Sequence, residues 1–140
     1  MATPSLKPKE TILVVDDDPE VLSVAVDLLR MKDFTVLSAG DTREVLRLAR
    51  AHPERLHLLL TDVVMPHMSG RQLAEELRAI RPDVKILFMS AYSIQTVQDY
   101  LILLVPGEPF LVKPFTSAEL ERQVRAALEY RSPFSRSRVH

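Results

Sequence analysis

The feature that most constrains this chain is an alternation of short apolar runs with segments of helical periodicity. Each run is short and continuously apolar, as expected for strands buried on both faces. Because a helical segment follows each run, we predict parallel strands joined by right-handed helical crossovers. The predicted fold class is a doubly wound α/β sheet with helices on both faces. The predicted strands are Thr11–Val15, Phe34–Ser38, Leu56–Thr61, Val84–Met89 and Phe110–Val112.

Residues that begin or end helices flank four of the five helical segments. Asp18 precedes Pro19, Asp41 precedes a second apolar stripe, Pro82 follows the third segment, and Thr116 opens a capping box. The fourth segment is apolar on almost every side in its last turns. The five predicted helices cover Pro19 to about Met31, Asp41 to about His52, Leu73 to Ile80, Ser93 to Leu104, and Thr116 to Leu128.

The length and composition fit one ordinary globular domain. The chain has 140 residues, of which 46% are hydrophobic and 26% are charged, which is enough to bury a single core. We predict an extended or disordered arm over residues 1–10, one domain over residues 11–130 and a flexible tail over residues 131–140.

Charge, cysteine content and hydropathy exclude several classes of function. The net charge of -1 leaves no basic footprint for nucleic acid. Cysteine is absent, which rules out disulfides, thiolate zinc sites and thiol catalysis. The longest apolar run is too short to cross a bilayer, and the first ten residues lack the apolar core of a secretory signal. We therefore predict a cytoplasmic domain without membrane insertion or direct nucleic-acid binding.

Polar side chains follow the predicted strands at the ends where ligands of open α/β sheets bind. Asp16 and Asp17 follow the first strand, and Asp62 follows the third. Ser90 and Lys113 follow the fourth and fifth. Clustered carboxylates raise one another's pKa unless a cation neutralises them, and hard oxygen ligands suit Mg²⁺ or Mn²⁺. A metal, an ammonium group and a hydroxyl around one nucleophilic carboxylate suit phosphoryl transfer.

These residues lie in four motifs that resemble the receiver domains of two-component response regulators. The resemblance extends from about Thr11 to Tyr130, and the motifs occur in the family's order. It implies the flavodoxin-like strand order 2-1-3-4-5. The loop and helix after Asp62 are also similar to receivers of hybrid histidine kinases. The motifs are Val14-Val15-Asp16-Asp17, Leu60-Thr61-Asp62-Val63-Val64-Met65-Pro66 with Ser69-Gly70, Met89-Ser90-Ala91 and Val112-Lys113-Pro114-Phe115.

The resemblance implies that Asp62 is the phosphoacceptor, supplied by a histidine kinase, a phosphotransfer protein or a small phosphodonor. It implies a Mg²⁺ site in which Asp17 and Asp62 bind directly and Asp16 binds partly through water. The backbone carbonyl of Val64 would complete the protein's ligands. Since the Val64 side chain cannot orient an attacking water, we expect slow autodephosphorylation.

Four further residues receive phosphoryl-binding or switch roles from the resemblance: Lys113, Ser90, Ala91 and Phe110. Phe110 stands at the aromatic switch position but lacks the phenolic hydroxyl of the usual tyrosine. The face formed by the fourth helix, fifth strand and fifth helix would contact an effector or a second copy. Residues 100–109 depart from the family pattern and suggest a shortened or distorted fourth helix.

Two other functions remain open from the residues alone. Asp16 and Asp18 form an Asp-x-Asp pair like that of Mg²⁺-dependent aspartyl phosphohydrolases. Against this, Glu20 stands where that family prefers Thr or Val, and no paired acidic ligands follow Lys113. The second alternative is a receiver-like interaction module that does not take phosphate, which would predict losses among the site residues. We expect no classical enzyme activity beyond phosphotransfer to the chain's own aspartate, and we interpret Asp18 as a helix cap.

Overall fold

The computed structural model describes residues 9–91 and 108–131, and they form a five-stranded sheet. Every neighbouring pair of strands is parallel, and the strand order is β2-β1-β3-β4-β5. The predicted α/β class and strand order are therefore confirmed. The strands are β1 (Thr11–Val15), β2 (Thr35–Ala39), β3 (Leu58–Asp62), β4 (Lys85–Ser90) and β5 (Phe110–Val112).

Four helices lie within the described ranges and cover both faces of the sheet. They are α1 (Pro19–Met31), α2 (Thr42–Ala51), α3 (Gly70–Ile80) and α4 (Ser117–Glu129). α4 corresponds to the fifth predicted helix. The fourth predicted helix, at 93–104, lies outside the described residues. No helix in the described part of the chain has the length and apolar character needed to cross a bilayer.

The core consists of two apolar clusters, one on each face of the sheet. The first packs α2 and α3 against residues such as Leu13, Leu59 and Phe88. The second packs α1 and α4 against residues such as Ile12 and Leu60. All five residues of β1 and all five of β3 are buried, because these central strands are covered on both faces.

Hydrogen bonds confirm the three predicted helix caps, Asp18, Asp41 and Thr116. Asp18 accepts from the backbone N–H of Glu20 at 2.9 Å, so its side chain caps α1. Asp41 caps α2 in the same way. Thr116 forms a complete capping box at the start of α4. Ser69, which was not predicted as a cap, forms another at the start of α3, so this helix begins at Gly70 rather than at the predicted Leu73. These caps fix where each helix starts beside the carboxyl ends of the strands.

Three predicted strands were misplaced by one or two residues at both ends. β2 begins at Thr35 rather than Phe34, because the Phe34 N–H donates to the carbonyl of Leu29 instead of to the sheet. β3 begins at Leu58 rather than Leu56 and includes Asp62 as its last residue. β4 likewise runs from Lys85 to Ser90 rather than from residue 84 to residue 89.

Candidate functional site

Three aspartates meet at the carboxyl ends of the two central strands. Asp16 and Asp17 follow β1, and Asp62 ends the neighbouring strand β3. One carboxylate oxygen from each residue lies within 4.8 Å of the corresponding oxygens of the other two. Asp16 and Asp62 are buried, whereas Asp17 is exposed. The predicted convergence of these three side chains is therefore present in the structure.

Asp16 is held on both of its carboxylate oxygens. Oδ1 accepts a hydrogen bond from the backbone N–H of Asp18 at 2.8 Å, and Oδ2 accepts one from Lys113 Nζ at 2.9 Å. Burial nevertheless raises the pKa of Asp16 above its ordinary value, because the charged form loses solvation and the two hydrogen bonds only partly offset this loss. The nearby Asp62 carboxylate acts in the same direction.

Lys113, directly after β5, bridges two of the three carboxylates. Its Nζ lies 2.9 Å from Asp16 Oδ2 and 2.5 Å from Asp62 Oδ2, and its side chain is 15% exposed. Burial lowers the pKa of Lys113, but the hydrogen bonds to Asp62 and Asp16 outweigh that effect. The pKa therefore lies above the ordinary lysine value, and Lys113 supplies a fixed positive charge to the site.

Asp62 is oriented by the loop that follows β3 as well as by Lys113. The backbone N–H of Val64 donates to Asp62 Oδ1 at 2.9 Å, so each carboxylate oxygen has a donor. Val64 itself is 54% exposed. The Thr61 hydroxyl, fully buried, donates to the Asp62 backbone carbonyl at 3.0 Å. Backbone and side chain of Asp62 are thus fixed by different neighbours.

The other predicted residues lie on β4 and β5. Ser90 is buried at the end of β4, and its carbonyl accepts a hydrogen bond from the Lys113 N–H at 2.8 Å. Ala91 follows it and is exposed. Phe110 is 7% exposed and stands opposite Phe88 in the β4–β5 register, within the cluster under α2 and α3. The strand ends therefore bring Ser90 near the carboxylates, while Phe110 belongs to the core.

Two cavities flank the carboxylate cluster. A cavity of about 200 Å³ lies between α1 and the turn after β5, lined in part by Val24, Lys113 and Phe115. A smaller cavity of about 30 Å³ lies beside Asp17, between the turns that follow β2 and β3. One cavity thus borders Lys113 and the other borders Asp17.

Two contacts of the site were not anticipated from the sequence. Lys113 joins Asp16 and Asp62 to each other, and Gly70 at the start of α3 packs against the backbone of Asp62. A weak signal for the second exists in the sequence. Glycine is a poor helix former, so a glycine directly after the cap Ser69 suggests a steric requirement.

The donor set of the cluster suits a hard divalent cation. Three carboxylates face one ammonium group, which leaves an excess of negative charge when all three are ionised. Oxygen ligands of this kind are those that Mg²⁺ prefers, and Mg²⁺ sites in proteins retain room for water or phosphate oxygens. Asp16, Asp17 and Asp62 are the described residues that could hold such an ion together.

Comparison with known proteins identifies similar sequences over most of the chain. The family model of the response regulator receiver domain matches residues 12–125. The sensor kinase CckA of Brucella abortus (strain 2308) is 33% identical over 122 residues, which cover 85% of this chain and 12% of the kinase. The transcriptional regulatory protein PrrA of Mycobacterium bovis is 39% identical over 121 residues, covering 86% of this chain and 50% of PrrA.

A solved structure gives the same result for the fold. The crystal structure of a response regulator receiver domain protein from Clostridium thermocellum is similar with a TM-score of 0.71 and 25% identity. The match covers 85% of this chain and 94% of that chain. By contrast, the chain spans half the length of PrrA and a much smaller share of CckA.

Proposed function

The chain belongs to the response regulator receiver domain family, and from this premise we propose that it takes a phosphoryl group onto Asp62. The donor is a histidine kinase or a phosphotransfer protein of a two-component system or phosphorelay. The reaction depends on Mg²⁺, or on Mn²⁺ in its place. The chain catalyses only this transfer to its own aspartate and a slow autodephosphorylation.

The geometry around Asp62 is the observation that carries the proposal. This carboxylate is buried, lies 2.5 Å from an ammonium group and has two further carboxylates within 4.8 Å. Burying a carboxylate beside other charged groups costs solvation free energy. A cluster of this kind therefore points to a chemical role rather than to a contribution to stability.

The transfer forms a bond between an Asp62 oxygen and phosphorus while the donor's phosphorus–nitrogen bond breaks. The bonding electron pair leaves with the donor nitrogen, which takes up a proton. Lys113 is already bound to Asp62 Oδ2, so its ammonium group lies within reach of a phosphoryl group added there. Catalysis then consists of positioning the nucleophile and neutralising charge on the transferred oxygens.

The aspartates fit the divalent cation that the family uses. Asp16, Asp17 and Asp62 would hold it with the Val64 backbone carbonyl, since their oxygens already converge. When bound, the cation supplies positive charge that offsets the phosphoryl oxygens. The chain's own contribution is to keep Asp16 in place through the Asp18 N–H and Lys113, leaving the exposed Asp17 free to meet solvent and ion.

Signalling would start at Ser90, Ala91 and Lys113 and involve Phe110. We propose that Ser90 hydrogen-bonds the attached phosphoryl group and that the neighbouring face passes the change to an effector or a second copy. The fourth-helix part of that face lies outside the described residues. We further propose a cytoplasmic location, without membrane insertion or direct nucleic-acid binding, and a receiver domain over residues 11–130 between an arm and a tail.

The decisive experiment is intact-mass measurement after incubation with phosphoramidate and Mg²⁺. Wild type should gain one phosphoryl mass, Asp62→Asn should gain none, and chelation of the metal should abolish the gain. Asp41→Asn is the matched control, because it changes an exposed aspartate that caps α2, and asparagine caps helices equally well. It should be phosphorylated like wild type.

The alternatives predict different outcomes in the same assay. A phosphate-independent interaction module would show no adduct in any variant. An aspartyl phosphohydrolase would release inorganic phosphate from the phosphodonor over many turnovers without a lasting adduct. An equal adduct on wild type and Asp62→Asn would refute the assignment of Asp62.

A further inference from the structure

Gly70, the first residue of α3, lies directly against the peptide group that follows Asp62. A β-carbon built on Gly70 would collide with the Asp62 carbonyl oxygen, and it would lie 3.1 Å from the Asp62 carbonyl carbon and 3.2 Å from the Val63 Cα. All three are backbone atoms. The Gly70 N–H also donates to the Val63 carbonyl at 2.8 Å. The first turn of α3 thus approaches the end of β3 as closely as the missing side chain permits.

Neither the end of β3 nor the start of α3 can move easily to relieve this contact. The end of β3 is fixed by the Val63 N–H, which donates to Met89 on β4 at 3.0 Å, and by the Thr61 hydroxyl on the Asp62 carbonyl. The start of α3 is fixed by the capping box between Ser69 and Gln72. Because no flexible side chain can rotate away, a β-carbon at position 70 must displace the Asp62–Val63 peptide or the helix.

We infer that Gly70 is a positioning residue for Asp62. Its contact fixes the peptide from which the Asp62 carboxylate extends toward Lys113 and Asp16. The same peptide leads to the Val64 N–H that holds Asp62 Oδ1 at 2.9 Å. Displacing it moves the carboxylate relative to the ammonium group and to the other two aspartates. The kinetic part of this inference rests on the proposed phosphorylation of Asp62, and the structural part does not.

The test compares Gly70→Ala with Gly40→Ala. The two substitutions add the same methyl group, but a β-carbon at Gly40 would meet nothing within 4 Å. Gly70→Ala should slow adduct formation from phosphoramidate by about tenfold to a hundredfold, as expected for a nucleophile displaced by up to ~1 Å. Gly40→Ala should react like wild type. Since alanine favours helix more than glycine does, a slower reaction cannot be attributed to lost helix propensity.

Backbone amide NMR spectra without phosphodonor separate positioning from general damage. Gly70→Ala should shift the signals of Val63, Val64 and Met89 while those of the β1–β2 pair stay in place. Gly40→Ala should leave the first three unchanged. In wild type, the hydrogen bond from the Gly70 N–H to the Val63 carbonyl should give a measurable scalar coupling, which requires no variant to fold.

The possible failures are distinguishable. Wild-type kinetics in Gly70→Ala, or the absence of the Gly70–Val63 coupling in wild type, would overturn the positioning role. If no chain forms an adduct but the Val63 and Met89 signals shift as expected, the proposed function fails while the structural contact stands. If Gly40→Ala is slowed as much as Gly70→Ala, the contact at residue 70 has no special role and the inference is wrong.

Discussion

Replacing Lys113 with methionine removes an ammonium group from between two buried carboxylates and retains most of its aliphatic stem. The side chains of Asp16 and Asp62 are 0% and 11% exposed, so neither can recover full hydration when the charge is lost. Each loses a hydrogen bond, of 2.9 Å and 2.5 Å respectively. We therefore expect Lys113→Met to lower the free energy of unfolding in metal-free buffer.

The size of the effect follows from the burial of the three groups. Breaking a buried ion pair from one side costs about 3–5 kcal/mol. Lys113 is 15% exposed and lines the larger cavity, so solvent enters part of the gap. We therefore expect Lys113→Met to lower the free energy of unfolding by about 2–4 kcal/mol near pH 7, somewhat less than the cost of breaking a fully buried ion pair. The loss should shrink as the pH is lowered through the raised pKa of Asp16, because a protonated carboxyl needs no counter-charge.

Urea unfolding monitored by circular dichroism measures this loss, with chelator present. Lys85→Met is the matched control. Lys85 Nζ donates to the Tyr130 carbonyl at 3.0 Å, so its loss should cost about 1 kcal/mol, the worth of one ordinary hydrogen bond. Added Mg²⁺ should stabilise Lys113→Met more than Lys85→Met, since a divalent cation substitutes for the lost charge. A Lys113→Met stability within about 0.5 kcal/mol of wild type would refute the reasoning, because that is the range of a neutral surface substitution.

Three further predictions concern other parts of the fold. The Nδ1 atom of His57 accepts a hydrogen bond from the Thr11 N–H, and burial, followed by the charge of Arg55, lowers the pKa of His57. The free energy of unfolding should therefore fall as the pH drops below about 6.5, the ordinary pKa of histidine in the unfolded chain. His57→Asn keeps an acceptor but cannot titrate, so urea midpoints at pH 7.5 and 5.5 should differ less in the variant, and an equal difference would contradict this. The Arg81 guanidinium donates hydrogen bonds to backbone carbonyls at and beyond the end of α2. Arg81→Ala should therefore lower the free energy of unfolding in urea by about 2 kcal/mol. A loss below about 0.5 kcal/mol would show that those hydrogen bonds are dispensable. Val64 is exposed two residues after Asp62, and an asparagine at this position could orient an attacking water. Val64→Asn should therefore shorten the lifetime of the phosphoryl adduct, followed by intact-mass measurement. An unchanged lifetime would exclude a role for this side chain.

The sequence predicted β1 correctly but misplaced the start of β2 and β3, and the reason is physical. Hydrophobic periodicity reports burial, and Phe34 and Leu56 are 4% and 2% exposed. Neither belongs to a strand. The Phe34 N–H donates to the end of α1, and β2 begins only at Thr35, whose N–H donates to Glu10. Residues that pack from a turn look like strand residues in a single sequence.

The convergence of the aspartates was predictable because parallel strands bring their carboxyl ends to one edge. The bridging by Lys113 was not predictable. Lys113 lies 97 positions from Asp16 and 51 from Asp62 in the sequence, and sequence spacing does not give the direction of a side chain. The contact of Gly70 with Asp62 was equally hidden. It depends on the approach angle of α3, which the Ser69 capping box and the core under the helix set together.

The position of Lys113 links chemistry at Asp62 to the edge of the sheet. β5 has only three residues. The Lys113 backbone N–H donates to Ser90, while its ammonium group reaches Asp16, directly after β1, and Asp62, at the end of β3. A phosphoryl group on Asp62 would carry about -1.5 to -2 charge in place of the single negative charge of the carboxylate, and it would draw the ammonium group toward its oxygens. Asp16 stays as its second partner and limits that movement. The change would therefore reach β5 and the turn before α4 through Lys113.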